Sequence, residues 1–407
     1  MALSSNYPKT ILIIPAGSFQ LPAIQTAQAM GLRVIALDGN PHAPGLKAAD
    51  FGHAVEPRHV SEALACVARY AVDGVVSVAS DPCVVAAADM AATLGTPGLS
   101  PESARRARNK LLSRIYLQER LPLYLPAFHP VSSVESLRQA ARKIGFPFVL
   151  KPVESNGSKG VVIVDEDAEL DMVFNYVSRF VQPVYCGDTP PMIAEEFLDG
   201  PEVSVEGLVI GNVPHVAAIT DKRTTPPPFC VEIGHVIPSR LSEHMQEELR
   251  LAVLRIAAAL GISNCGIHAE LRLTQDGVKL VELGARLGGG CIASHLVPLA
   301  TGVNMLEAVI AIALGNTPII TPQHSRAAAI RFLTPGPGQV IAIDGIEQAR
   351  AVSGVEEVQC SLRVGDTITS FEHSDHRVGY VIASGASAED AEIRAQQAVD
   401  CIHIDCR

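Results

Sequence analysis

Along residues 10–100 short apolar runs alternate with stretches of helical character. Ile11, Leu12, Ile13 and Ile14 form the first run, a helix is expected to end near Met30 and Gly31, and Val34, Ile35, Ala36 and Leu37 form the next run, closed by Asp38. Val75, Val76, Ser77 and Val78 precede a further helical stretch over residues 84–94. Short strands separated by helices run side by side in one direction with both faces covered, so this order predicts a parallel sheet. Gly17 follows the first strand, but no G-x-G-x-x-G is present. No dinucleotide is therefore assigned here, and the first turn reads as scaffold or as part of a substrate wall.

The pattern then changes. A helix is expected over residues 101–120, a proline-containing linker over 121–130, and a helix over 133–144 capped by Ser132 or Ser133 and stopped by Gly145. A strand at 148–151, the loop Ser155-Asn156-Gly157-Ser158-Lys159-Gly160 and a strand at 161–164 read as a hairpin with a mobile tip. Such a tip offers backbone N–H groups to phosphates, with a plain flexible hairpin as the alternative. A helix over 167–180 and a strand over 193–198 follow, and Gly211-Asn212 marks a turn between two strands within 203–216. Residues 221–228 are polar and proline-rich and read as a loop, and a helix is expected over 242–260. An apolar helix near 305–314 leads to short strands with glycine turns and a last helix over 388–399, a small α+β unit starting about residue 327. No internal repeat or low-complexity tract is evident.

The chemistry concentrates after residue 265. Glu270 and Glu282 lie on two apolar strands separated by Gln275-Asp276-Gly277, a hairpin turn, so both acids come to one place. Two adjacent carboxylates repel, which makes sense if a divalent cation lies between them, and hard oxygen ligands suit Mg²⁺, which usually carries phosphates. A solvated pair of acids on a hairpin edge is the bland alternative. Arg286 and Gly288-Gly289-Gly290 follow at once and favour phosphate chemistry.

At 407 residues the chain suggests two to three domains, and 48% hydrophobic residues allow a large core. The net charge is −11 with no lysine or arginine run, which argues against a nucleic-acid or anionic membrane surface. An anionic substrate must then be met by local lysine, arginine and metal. The nine cysteines include no C-x-x-C, so reduced cytoplasmic thiols are the simpler reading than a zinc site or a disulfide framework. Residues 11–14 are too short an apolar run for a signal peptide core or a membrane span. A soluble, cytoplasmic protein is expected.

Taken in order, several segments resemble the ATP-grasp superfamily over nearly the whole chain. They are Asn109-Lys110, Phe148-Val149-Leu150-Lys151-Pro152, Ser158-Lys159-Gly160-Val161, Glu195-Glu196-Phe197-Leu198 with Glu202, and Glu270, Glu282 and Arg286. The resemblance implies an α/β fold with an N-terminal parallel domain (residues 1–108), an ATP-grasp domain (109–326, its lid about 125–195 and its central part about 196–326) and an α+β C-terminal domain (327–407). It implies ATP and Mg²⁺, with Lys110 and Lys151 on the α and β phosphates and Ser158, Lys159 and Gly160 in the lid loop. The backbone of Glu195, Glu196, Phe197 and Leu198 would meet the adenine edge, and Glu202 the ribose hydroxyls. Glu270 and Glu282 would hold the metal, and Arg286 would be the cation beside a tetrahedral oxyanion.

Within that superfamily, Val231-Glu232-Ile233-Gly234-His235-Val236-Ile237-Pro238 ahead of Gly266-Ile267-His268-Ala269-Glu270 looks like the L-amino-acid ligases, which join two unprotected amino acids. Residues 377–385, from Arg377 to Gly385, look like the same branch. The resemblance places Glu232 and His235 at the acyl donor, Glu232 on its ammonium, with Arg286 and Gly289 also at the substrate. A surface acid and a structural histidine are the alternative for this pair. The chain departs from the frequent Glu-x-Asn-x-Arg pattern by carrying Gly284, so one of two Mg²⁺ ions would be held more weakly or completed by water. Cys291 reads as structural, and His268 and His295 as pocket-lining or structural. The activity implied is an ATP-dependent carboxylate–amine ligase making a dipeptide or related amide, with antibiotic biosynthesis as one setting; a carboxylase or purine-pathway ligase is the rival. Amino acids or modified amino acids would be the partners, with no nucleic acid or membrane, and homodimers are common in the superfamily.

Overall fold

A computed structural model describes residues 8–181 and 190–407. Cys186 and residues 182–189 of the expected lid lie outside the described residues. Strands β1 (Thr10–Ile14), β2 (Arg33–Asp38), β3 (Phe51–Ala54) and β4 (Gly74–Ser77) form the expected parallel sheet, in the order β3-β2-β1-β4. Pleating sends alternate residues of β1 to opposite faces. Ile11 and Ile13 pack with Ala23, Ile24 and Ala27 of the helix Leu21–Ala29, while Leu12 and Ile14 pack with Ala63, Val67 and Met90 from the helices Val60–Val67 and Asp81–Leu94. Both faces are therefore dry, which is why this run is uniformly apolar.

A second sheet carries β5 (Phe128–Val131), β6 (Phe148–Pro152), β7 (Val162–Val164) and β8 (Met192–Glu196), in the antiparallel order β5-β8-β6-β7. The helices Val134–Ile144 and Leu170–Ser178 cover it through Leu137, Ala140, Leu170, Val173 and Val177. Ser133 caps the first of these in a capping box and Gly145 ends it, as the sequence suggested. The expected linker at 121–130 is shorter than anticipated, because Phe128–Val131 pairs along β8.

The largest sheet contains β9 (Glu202–Ile210), β10 (Val213–Thr224), β11 (Glu232–Ile237), β12 (Cys265–Thr274) and β13 (Gly277–Gly284). The C-terminal strands are β14 (Ala327–Phe332), β15 (Gly338–Asp344), β16 (Val355–Cys360), β17 (Thr367–Ile368), β18 (Gly379–Gly385) and β19 (His403–Cys406). Of these β14, β18 and β16 extend the large sheet to the order β13-β12-β9-β10-β11-β14-β18-β16, all pairs antiparallel, and β17-β15-β19 form a small sheet. Strands on either side of residue 327 thus share one sheet.

Two further expectations change. The helix expected over 101–120 is two helices, Pro101–Arg108 and Lys110–Gln118, broken at Asn109, whose extended backbone lets its side chain accept from Leu112 N. Lys110 consequently opens a helix. The loop expected over 221–228 begins late, because β10 runs to Thr224 and keeps Asp221, Lys222 and Arg223 in the sheet. Lys222 is tolerated there because three acids surround it, and Asp221 because Arg240 pairs with it. Among the described residues no single helix is long and apolar enough to cross a membrane.

Candidate active site

The site grows from strand alternation. On β12, Ile267, Ala269, Leu271 and Leu273 enter a core with Leu249, Val253, Ile256 and Leu260 of the helix Glu243–Leu260. His268, Glu270 and Arg272 therefore emerge on the opposite face. On β9, Val203 and Val205 join the same core, leaving Glu202, Ser204 and Glu206 beside them. Register then matches charges across strands, with Arg272 facing Glu202 and His268 facing Glu206, and it sets Lys222 opposite His235. Glu270 faces Glu282, the side-by-side acids expected from the hairpin.

Lys222 is the hub of this face. Its ammonium, with the side chain 2% exposed, lies 2.6 Å from Glu202 Oε1 and 3.0 Å from both Glu232 Oε1 and Glu270 Oε1. Burial opposes its charge, but the three carboxylates outweigh this and hold it well above the ordinary lysine range. Glu202 is also gripped by Arg272 at 2.8 and 3.0 Å, and Arg272 donates to Leu198 O at 2.8 Å. Glu232 receives Arg377 on its carboxylate at 2.6 Å and on its backbone carbonyl at 2.9 and 3.1 Å. Burial alone would raise the Glu232 carboxyl; Lys222 and Arg377 bring it well below the usual range instead. His235 beside it is driven down to about 3 by burial, so its ring is neutral.

Glu270 and Glu282 are not left to repel one another. Glu270 Oε1 also meets His268 Nε2 at 3.3 Å, His268 Nδ1 meets the fully buried Glu206 at 2.6 Å, and Glu282 Oε2 meets Lys110 Nζ at 3.1 Å. Burial disfavours a charged His268, yet the Glu206 carboxylate raises it to about 10, so it is an imidazolium. The need for a divalent cation, inferred from repulsion, is thus met in part by protein cations. Among the described residues no group of three or more His, Cys, Asp or Glu side chains is arranged to hold a metal. Two cavity-facing carboxylates, engaged through Glu270 Oε1 and Glu282 Oε2, nevertheless fit Mg²⁺, which is held by one or two carboxylates with phosphates completing its shell.

Arg286 forms a two-pronged pair with Asp81 at 2.6 and 2.9 Å, reaching from the end of the hairpin to the first turn of a helix in the N-terminal sheet region. Gly284 matters here: a Cβ at this position would lie 3.3 Å from the Arg286 guanidinium and 3.4 Å from Asp81 Oδ1. The missing side chain leaves room for that pair. Lys151 finds its partner in Glu195 Oε2 at 2.6 Å, and Arg114 takes Glu195 Oε1 at 2.7 Å. The backbone of Glu195 and Glu196 is engaged between β5 and β6, with Glu196 N bonded to Ala127 O, so Phe197 and Leu198 are the part of that segment beyond the strand end.

A cavity of about 720 Å³ is bordered by Arg286, Glu270, Glu282, Lys110, Lys151, Ser158, Lys159, Glu195, Glu196, Phe197, Leu198, Glu202, Glu232, His235 and Gly289. Of the expected site residues only Gly160 stands back from it, against Phe180. Ser18 and Phe19 of the first turn line it too, the substrate-wall option for that segment. Cys291 sits at its edge with its thiol pushed up to about 11 by burial, in keeping with a structural role. His268 lines the cavity, whereas His295 lines a neighbouring pocket of about 130 Å³. Sequence reasoning missed Lys222, Asp81, Arg272 and Glu206. Period-two alternation could have found Lys222, two residues beyond the buried Thr220, had the polar segment not been taken for a loop.

Residues 144–294 match the ATP-grasp domain, and with the fold and the acid, lysine and arginine set they define an ATP-grasp protein. Residues 331–407 match L-amino acid ligase C-terminal domain 2. The chain thus carries an ATP-grasp domain followed by an L-amino acid ligase C-terminal domain. It is similar to the crystal structure of L-amino acid ligase from Bacillus licheniformis, at 27% identity and TM-score 0.80 over 98% of this chain and 99% of that one. It is 28% identical to alanine–anticapsin ligase of Bacillus subtilis over 58% of this chain and 52% of that one. Formate-dependent phosphoribosylglycinamide formyltransferase of Burkholderia thailandensis is 26% identical over 96% and 94%. The chain spans 31% to 63% of the length of three of its curated relatives, carnosine synthase 1 of Homo sapiens and alanine–anticapsin ligase among them.

Proposed function

We propose that the chain is an ATP-dependent carboxylate–amine ligase that joins two amino acids, or modified amino acids, into a dipeptide or related amide. The observation that carries this reading is the single cavity bordered at once by Lys110, Lys151, Glu232, Glu270, Glu282 and Arg286. ATP is the phosphoryl donor. Phe197 and Leu198 meet the adenine edge, Glu202 the ribose, and Lys110 and Lys151 the α and β phosphates, with Ser158 and Lys159 over them. Held by Glu270 and Glu282, Mg²⁺ would neutralise charge on the transferring phosphoryl group.

The donor carboxylate oxygen attacks the γ-phosphorus, the bond to the bridging oxygen breaks, and ADP leaves an acylphosphate. The acceptor amine then attacks the acyl carbon, the oxyanion forms beside Arg286, and phosphate departs as the amine loses a proton. No side-chain nucleophile is needed; alignment and charge carry the reaction. Asp81 keeps Arg286 aimed. Glu232, held ionised by Lys222 and Arg377, offers permanent negative charge to the donor ammonium, and neutral His235 lies beside it. We place the reaction in the cytoplasm, extend the same proposal to a homodimer, and take synthesis of a peptide antibiotic as one pathway such a product would serve.

The near full-length likeness to the formyltransferase keeps a purine-type ligase as the second reading. A phosphate-release assay separates the two. Release that requires two amino acids supports the dipeptide ligase. Release driven by formate or bicarbonate without a second amino acid supports the rival.

A further inference from the structure

Arg377 touches the donor side of the cavity, while the residues just before it touch the loop over the phosphates. Ser374 donates its backbone N–H to Gly157 O at 2.9 Å, and Lys159 Nζ pairs with Asp375 Oδ2 at 2.7 Å. The Tyr176 hydroxyl donates to Glu372 Oε2 at 2.8 Å, and Phe180 meets His373 edge-on at 6.0 Å between ring centres. A side chain at 157 would be strained, because φ is +61° and a Cβ would lie 3.0 Å from Ser374 Cβ. Ser374–His376 is a single 3₁₀ turn, closed by Arg377 N to Ser374 O at 3.2 Å. The backbone thus fixes the spacing between its two ends. At the far end the Arg377 guanidinium holds both the carbonyl and the carboxylate of Glu232 and lies 3.8 Å from the centre of the Phe332 ring. Holding two oxygens of one residue restricts the rotamer of Glu232, which a point-charge lysine would not do.

We propose that Arg377 is a positioning residue for Glu232 and that residues 372–377 tie it to the phosphate loop, so that nucleotide under the loop and donor at Glu232 bind cooperatively. The proposal rests on Glu232 as the donor acid, but its coupling is measurable without any amino acid. Linkage works in both directions, so loosening the Glu232 end must weaken nucleotide held at the other end.

The test is a double-mutant cycle on the full chain, with Mg-ADP affinity measured by calorimetry. Arg377→Lys relaxes one end. Ser374→Pro removes the N–H at the other, in a first-turn position that suits proline, and Asp375→Ala replaces it if the proline variant does not fold. Each single variant should weaken Mg-ADP by about fivefold or more, and the double variant by no more than the larger single effect. An unchanged affinity in Arg377→Lys, or two effects that add, overturns the coupling and leaves the contact as packing. In turnover, Arg377→Lys should raise the donor KM about tenfold or more, exceeding its effect on the ATP KM. An intact Mg-ADP cycle without that KM split counts against Glu232 as the donor acid, not against the coupling.

Discussion

Glu282, Glu232 and His268 make the account testable residue by residue. Glu282→Gln removes a charge without changing size, and turnover should fall by about 10²-fold or more while the fold stays intact. Near wild-type turnover at saturating Mg²⁺ would remove Glu282 from the metal. Because Glu232 neutralises Lys222 and Arg377 as well, Gln is a cleaner substitution there than Ala. Glu232→Gln should raise the KM of the donor amino acid far more than that of ATP, and should erase the preference for a free over an N-acetylated donor. A mutant that keeps this preference places the ammonium elsewhere. His268 carries a pH prediction. Its folded value of about 10 lies above the ordinary 6.5, so its stabilisation is complete below 6.5 and is lost as pH rises through about 10. The stability gap between wild type and His268→Gln, from urea unfolding, should shrink over that window; a gap that widens with pH contradicts the imidazolium. The paired acids and Arg286 were legible in the sequence because their motif is local. Lys222 was not, since its meaning depends on acids from β9, β11 and β12.

At the scale of elements, the loop over residues 155–160 is the part expected to respond to nucleotide. Ser155 O accepts from Lys110 and Gly157 O from Ser374, but Ser158 and Lys159 border the open cavity, so protease should cut the loop faster without nucleotide than with Mg-ADP. Equal cleavage in both conditions removes the lid role. Strands and capped helices were read well where one physical signal dominated: uniform burial for β1, a capping serine for Val134–Ile144, and Ser242 before Glu243–Leu260, closed by Gly261. Elements were misread where a polar residue did two jobs. Asn109 is tolerated inside a long helix although it favours a cap, and only the bond it accepts from Leu112 N decides. Polarity along 221–224 suggested a loop, yet in β10 Lys222 answers the acids of neighbouring strands.

Across the whole molecule, one cavity draws on the N-terminal sheet through Asp81, the lid sheet through Lys151, the large sheet through its acids, and the C-terminal strands through Arg377. That convergence was legible only as a family resemblance, because no local pattern states which loop of one region faces another. The Asp81–Arg286 pair is the clearest case, with its partners 205 positions apart. Asp81→Ala should lower kcat with little change in the ATP KM, as expected for a residue that aims the oxyanion cation; a change confined to ATP binding would contradict that role. The central claim, transfer of phosphate through the donor carboxylate, is tested most directly by labelling both carboxylate oxygens of the donor with ¹⁸O and examining the products by mass spectrometry. The account predicts one labelled oxygen in the released phosphate, together with an amide of the two amino acids that keeps the other labelled oxygen in its carbonyl. Phosphate released without label while amide forms would contradict it.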